Sequence, residues 1–218
     1  MSLVPNRFLF RVAYPCRYLK RIPTEEGARL LDLPEECRID NFAAMDDRRN
    51  FADVSLAWNE FGLALQVEVR GKERLPEGNA ARPRASDGVT LWIDTRDART
   101  SHRGSRHCHQ FHILPTGGGP DNDEPAFTQA KINRALQDAP LCNPSDVPFR
   151  TQRKNTGYIV EAFLPAPILH GFDPEQSRRL GFYYSVRDAE LGEQDLSVGG
   201  EFPYWEDPSL WSVLELVR

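Results

Sequence analysis

The chain has 218 residues, of which 40% are hydrophobic and 27% charged, with a net charge of −5; this is an ordinary globular composition, and a chain of this length buries roughly 70% of its unfolded surface without staples. The acidic balance speaks against a general nucleic-acid binder, which is basic as a rule, and no run approaches the ~18 apolar residues of a membrane helix. The opening Met1–Val12 is too short and broken in its apolar run for a signal peptide, which favours the cytoplasm and leaves the compartment open.

Alternation of apolar and polar residues with period two predicts strands along most of the chain. The first is expected over Phe8–Tyr14. Asp53–Trp58 and Leu63–Val69 read as a hairpin joined at Asn59-Glu60, ahead of Phe61-Gly62. Further strands are predicted within Ser86–Asp97 and over His107–Leu114, Thr156–Leu164, Leu180–Asp188 and Leu210–Val217. Pro167–Leu169 and Pro174–Arg178 are expected to form single helical turns. Residues 15–50, with the charged joint Asp46-Asp-Arg-Arg49, and residues 117–155 resist assignment. Long irregular stretches inside a compact sandwich tend to carry function. Seventeen prolines and fifteen glycines are spread as punctuation rather than gathered in a linker. The expectation is one all-β domain over 1–218: a two-sheet antiparallel sandwich, jelly-roll or immunoglobulin-like, with residues 1–50 part of the same sandwich. Cys16, Cys37, Cys108 and Cys142 contain no CxxC pair, and free buried thiols are expected.

The same alternation assigns faces. Val89, Leu91 and Ile93 oppose Thr90, Trp92 and Asp94; Phe182, Tyr184 and Val186 oppose Tyr183, Ser185 and Arg187. If the wholly apolar faces make the core, then Trp92, Tyr183 and Arg187 form an outer platform for a ligand. Trp205 lies in a loop beside Tyr204, Glu206 and Asp207, where an indole with acceptors nearby suits a pyranose. The bland alternative is that Trp205 caps the sandwich. Trp58 and Trp211 read as packing residues.

Three other clusters carry potential chemistry. His107, His109 and His112 sit on one strand, and imidazoles two apart can chelate zinc with Asp94 or Asp97 completing the set; they serve equally as hydrogen-bonded sheet surface. Arg82, Arg84, Arg96, Arg99, Arg103 and Arg106 outnumber Asp87, Asp94 and Asp97, so the segment either binds an anion such as a uronate or pairs its arginines internally. Asp94 with Asp97, and Asp121-Asn-Asp-Glu124, offer oxygens to calcium without EF-hand spacing. Enzyme signatures are missing: there is no Gly-x-Ser-x-Gly, HExxH or dinucleotide fingerprint. Glu161 and Asp188 read as structural carboxylates.

The Trp58 hairpin, Ser86–Asp97, Gly157–Pro165, Leu180–Asp188 and Trp205–Leu216 together resemble, over roughly residues 50–217, the family 9 carbohydrate-binding modules and the wider DOMON-like sandwiches. The resemblance implies a jelly-roll sandwich, sugar held between tryptophans, and often structural calcium. The expected function is non-catalytic carbohydrate binding by stacking on Trp205 and Trp92, with hydrogen bonds from Tyr183, Arg187 and Glu206. The alternatives are a metal site, catalytic or not, on His107–His112, and an interaction domain with no ligand. Oligomeric state is left open.

Overall fold

The computed structural model describes residues 12–23, 29–42, 45 and 47–218. Residues 8–11 of the first expected strand lie outside it, as does Asp46 of the charged joint. Among the described residues are eleven strands: β1 (Ala13–Tyr18), β2 (Ala52–Asn59), β3 (Gly62–Arg70), β4 (Gly88–Asp94), β5 (Cys108–Gly118), β6 (Glu124–Ala130), β7 (Phe149–Lys154), β8 (Gly157–Pro165), β9 (Arg179–Asp188), β10 (Gly192–Asp195) and β11 (Ser212–Val217). Five short 3-10 turns join them, one at Ala166–Ile168 where a helical turn was expected.

The strands form one hydrogen-bonded path, β6-β5-β4-β9-β11-β1-β2-β3-β8-β7, with β10 paired to the free length of β9. The path folds on itself so that β5 passes over β8 and β6 approaches β7. The result is the expected two-layer β-sandwich, its layers continuous at one side and curved towards a barrel. The continuity comes from β1. Ala13–Arg17 run parallel to Val213–Val217, and Arg17 and Tyr18 then pair in parallel with Ala57 and Trp58. Every other strand pair is antiparallel.

Side chains explain the layering. Leu56 and Trp58 of β2, Leu65 of β3, Leu91 of β4, Phe111 of β5 and Phe182 of β9 are fully buried in the shared core. The β2–β3 hairpin turns at Glu60-Phe61, one residue beyond the expected joint, because Asn59 pairs with Gly62 and the Asn59 side-chain oxygen accepts from the Phe61 N–H at 2.9 Å. Gly62 has φ +154°, and a Cβ there would sit 2.2 Å from the Leu164 carbonyl oxygen. Three of the four thiols are buried, and all four are unbridged. Glu161 faces the second, smaller apolar cluster side, where its carboxylate accepts from the Leu30 and Leu31 N–H groups at 3.0 and 3.3 Å. Burial raises its pKa.

Candidate functional site

The outer face of β5-β4-β9 forms a register of side chains. His112, Thr90 and Ser185 make one row, and Gln110, Trp92 and Tyr183 the next. The alternation therefore runs as expected, with Trp92 and Tyr183 pointing away from the inter-sheet core. Pointing outward does not leave them open. Trp92 is 1% and Tyr183 0% exposed, because the segment between β10 and β11 lies across them. Tyr204 stacks on Tyr183 with centroids 4.4 Å apart and meets Trp92 edge-on at 5.3 Å. The Tyr183 hydroxyl donates to the Val198 carbonyl, and the Trp211 indole N–H donates to the Tyr204 carbonyl at 2.7 Å. Trp92 and Tyr183 are thus a second, sealed aromatic layer beneath Tyr204 and offer no ring face to a ligand. The Trp92 Nε1–H, buried and without a hydrogen-bond partner, borders a small polar pocket of about 50 Å³. Arg187 and Glu193 close that pocket and pair with each other.

What remains accessible is the strip beside this layer. A groove of about 380 Å³ is floored by Gln110 and His112, walled on one side by Arg82–Ala85 and on the other by Lys131 and Asn133, with Trp205 at its edge. Trp205 is half-buried and edge-on to Tyr204 at 5.5 Å. The Arg84 guanidinium lies 5.3 Å from its ring centroid. Glu206 stands behind the far wall: it accepts from the Asn133 amide at 2.7 Å and pairs with Arg134 at 3.4 Å. On the floor, Gln110 Nε2 lies 3.0 Å from His112 Nε2 and Thr90 Oγ1 lies 2.9 Å from Nδ1. An amide nitrogen can only donate, so His112 accepts at Nε2 and carries its proton on Nδ1, towards Thr90. Burial, aided by the charge of Arg84, pushes the His112 pKa down to about 4, so the ring is neutral.

The Arg82–Ala85 wall belongs to the β3–β4 connection, which is pinned at several points. Buried Lys72 bridges Asp87 at 3.1 Å and Asp188 at 3.0 Å. Asp87 accepts from the Glu77 and Ala189 N–H groups at 2.9 and 2.7 Å. Glu190 accepts from Glu73 and Arg74. Ser86 Oγ accepts from the Asn79 N–H at 2.8 Å and donates to the Arg82 carbonyl at 3.0 Å. A connection with this many anchors presents its arginines from a fixed backbone.

The three strand histidines do not converge. His107 precedes β5, and its ring stacks on His170 at 5.1 Å. His109 is fully buried on the opposite face, parallel to Phe111 at 5.7 Å, with Nδ1 3.3 Å from the Gln129 amide. Burial lowers its pKa to about 4. His112 lies in the groove. Asp94 accepts from the Arg96 and Ala98 N–H groups at 2.9 and 2.7 Å, while Asp97 pairs with Arg99 at 2.7 Å and Arg179 at 3.4 Å. Both aspartates thereby shape the turn after β4. Among the described residues no three His, Cys, Asp or Glu side chains gather as a ligand set, so neither the zinc reading nor the implied calcium acquires a site. Of the expected ligand-binding residues only Trp205 borders the groove, with Glu206 behind it. Lys131 and Asn133 went unnoticed, since they follow β6 in the segment that resisted assignment.

No protein-family model matches the chain, and no curated protein matches it in sequence. The fold does have solved counterparts. A family 9 carbohydrate-binding module from Caldicellulosiruptor kristjanssonii, in complex with cellotriose, superimposes with a TM-score of 0.60 at 16% identity, covering 94% of this chain and 93% of that one. The same kind of module from that organism in complex with glucose gives a TM-score of 0.60 over 94% and 96% of the two chains. A Bacteroides uniformis structure described as that of a carbohydrate-binding protein aligns at a TM-score of 0.50 and 12% identity over 76% of this chain and 78% of that one. The architecture of this chain is that of the family 9 carbohydrate-binding modules.

Proposed function

We propose that this chain is a non-catalytic carbohydrate-binding domain whose ligand lies in the groove edged by Trp205. The reading is carried by one observation: a half-buried indole stands at the rim of a groove whose lining also holds the hydrogen-bonding side chains of Gln110, His112, Lys131 and Asn133. A pyranose has an apolar face and a ring of hydroxyls, so it needs that combination of surface and polar neighbours. The structures sharing the fold were solved with cellotriose and glucose bound, which supports the ligand class.

Within this reading Trp205 packs against the sugar ring, and the amides of Gln110 and Asn133 serve its hydroxyls. Glu206 acts indirectly, by holding the Asn133 amide. Trp92 and Tyr183 stiffen the floor under Tyr204 without touching ligand. Arg84 sits over the Trp205 ring, and a sugar stacking on that face displaces it. An exposed contact of this kind is worth about 0.5–1 kcal/mol, a small cost against burying a sugar face.

The test is calorimetric titration and thermal unfolding of wild type and Trp205→Ala with neutral and acidic oligosaccharides. Ligand that binds the native state raises the unfolding midpoint. Trp205→Ala is expected to unfold near the wild-type temperature and to lose at least about tenfold in affinity, which corresponds to about 1.4 kcal/mol. Equal affinity in the variant, or a wild-type midpoint indifferent to every sugar, refutes the assignment.

A further inference from the structure

We infer, resting on the reading of this groove as a sugar site, that its ligand is a uronate-bearing saccharide whose carboxylate is taken by Arg84. The groove is lined by three cationic side chains, Arg82, Arg84 and Lys131, and by no carboxylate. The whole chain carries 32 acidic residues against 27 lysines and arginines, so an acid-free groove departs from the surrounding surface. Two arginines outside the groove have carboxylate partners: Arg99 after β4 pairs with Asp97, and Arg70 at the end of β3 pairs with Asp53 and Glu68. Among the described residues Arg82 and Arg84 have none. Lys131 shares its charge with Asp138 at 2.7 Å, and that pair is exposed on both sides, where solvent competes for it.

The position of Arg84 sharpens the inference. Its guanidinium lies over the Trp205 ring, 5.3 Å from the centroid; a pyranose that takes this face displaces it only as far as the sugar's edge, where it meets the ring substituents. A guanidinium presents parallel N–H donors that match both oxygens of a carboxylate, a geometry a neutral hydroxymethyl group cannot use. The floor adds hydrogen bonds without charge, because His112 is committed to Gln110 and Thr90. Glu206, behind the far wall, is engaged by Asn133 and Arg134. Positive charge therefore comes from the rim, where a carboxylate on the sugar's edge meets it.

The experiment is titration of wild type and Arg84→Gln with matched trimers in gluco, galacto and manno configurations, each as the neutral sugar and as its uronate, at low salt and at ~0.5 M salt, where screening acts within a few ångströms. For the configuration that binds, the uronate is expected to bind about tenfold or more tightly than its neutral counterpart. That ratio is expected to collapse towards one in Arg84→Gln and to shrink at high salt. Arg84 is exposed, so the variant folds, and its unfolding midpoint verifies this. Equal binding of neutral sugar and uronate, or a ratio that survives in Arg84→Gln, overturns the inference while the sugar reading stands. No binding of any trimer, neutral or charged, overturns both.

Discussion

Replacing Lys72 by methionine removes a charge from the interior and almost no volume. The ammonium is 2% exposed and lies 3.1 Å from Asp87 and 3.0 Å from Asp188, whose side chains are 1% and 0% exposed. Methionine fills the place of the aliphatic stem but strands two buried carboxylates. Breaking a buried ion pair by deleting one partner costs about 3–5 kcal/mol. At roughly 2–4 °C per kcal/mol for a chain of this size, the unfolding midpoint is expected to fall by about 6–20 °C. Scanning calorimetry and urea denaturation measure it. A pH series adds a check on cause. Burial alone lowers the Lys72 pKa, but the hydrogen bonds to Asp188 and Asp87 outweigh it, and the net shift is upward. A raised pKa means that the contribution is complete below the unfolded-chain value of about 10.4 and is lost only as pH climbs through the higher folded value. The gap between wild type and Lys72→Met is therefore expected to stay level from neutral pH to about pH 10 and to close above it. A loss under about 1 kcal/mol, the scale of an exposed pair, refutes the argument. So does a gap that closes well below that pH. Because the same network anchors the Arg82–Ala85 wall, the variant is also expected to bind sugar more weakly.

Two further outcomes follow from the packing. His109 and His112 are held near pKa 4 against an ordinary 6.5, chiefly by burial; the native state thus binds fewer protons than the unfolded chain, and each ring lowers stability by up to about 1.4 kcal/mol per pH unit as pH falls from 6.5 towards 4. Urea titrations of His112→Gln are expected to show a shallower acid slope than wild type, and equal slopes contradict the assignment. Gly157 has φ +149°, and a Cβ there would lie 1.9 Å from the Val69 carbonyl oxygen across the β3–β8 pair; Gly157→Ala is expected to cost about 2–4 kcal/mol. Gly200→Ala, where a Cβ meets nothing within 4 Å, serves as its control, and similar melting of the two variants would sink the claim.

Strands that bury one or both faces against the core were legible. β2, β3, β4, β8 and β9 carry alternating or continuous apolar runs, and their ends fall within a few residues of expectation. The strands that escaped notice are β6, β7 and β10, with sequences EPAFTQA, FRTQRK and GEQD. β6 and β7 end the sheet path, and short polar or charged edge strands resist pairing with other chains at the expense of any hydrophobic signature. The site was legible in part for a related reason. Alternation correctly sent Trp92 and Tyr183 to the outer face of their sheet, yet nothing local to them reveals that Tyr204 covers that face. Trp205 could be singled out because it lies in a loop among polar neighbours. Its relation to Arg84 could not, since the two are brought together by separate connections, one tied down by Lys72 and the other by Trp211.

The corner strand has a bearing on how the protein is made. Ala13 pairs with Val213, 200 positions downstream, and among the described residues the two layers are continuous only through β1. During synthesis β1 leaves the ribosome long before its main partner exists, and the two positions it shares with β2 are all the pairing open to it. Contacts this distant in sequence make closure slow, and until β11 arrives both β1 and the β11-binding edge of β9 are unpaired templates. A nascent or truncated chain therefore carries two sticky edges that the finished protein hides, and its hazard of misassembly is greatest just before the final strand is delivered.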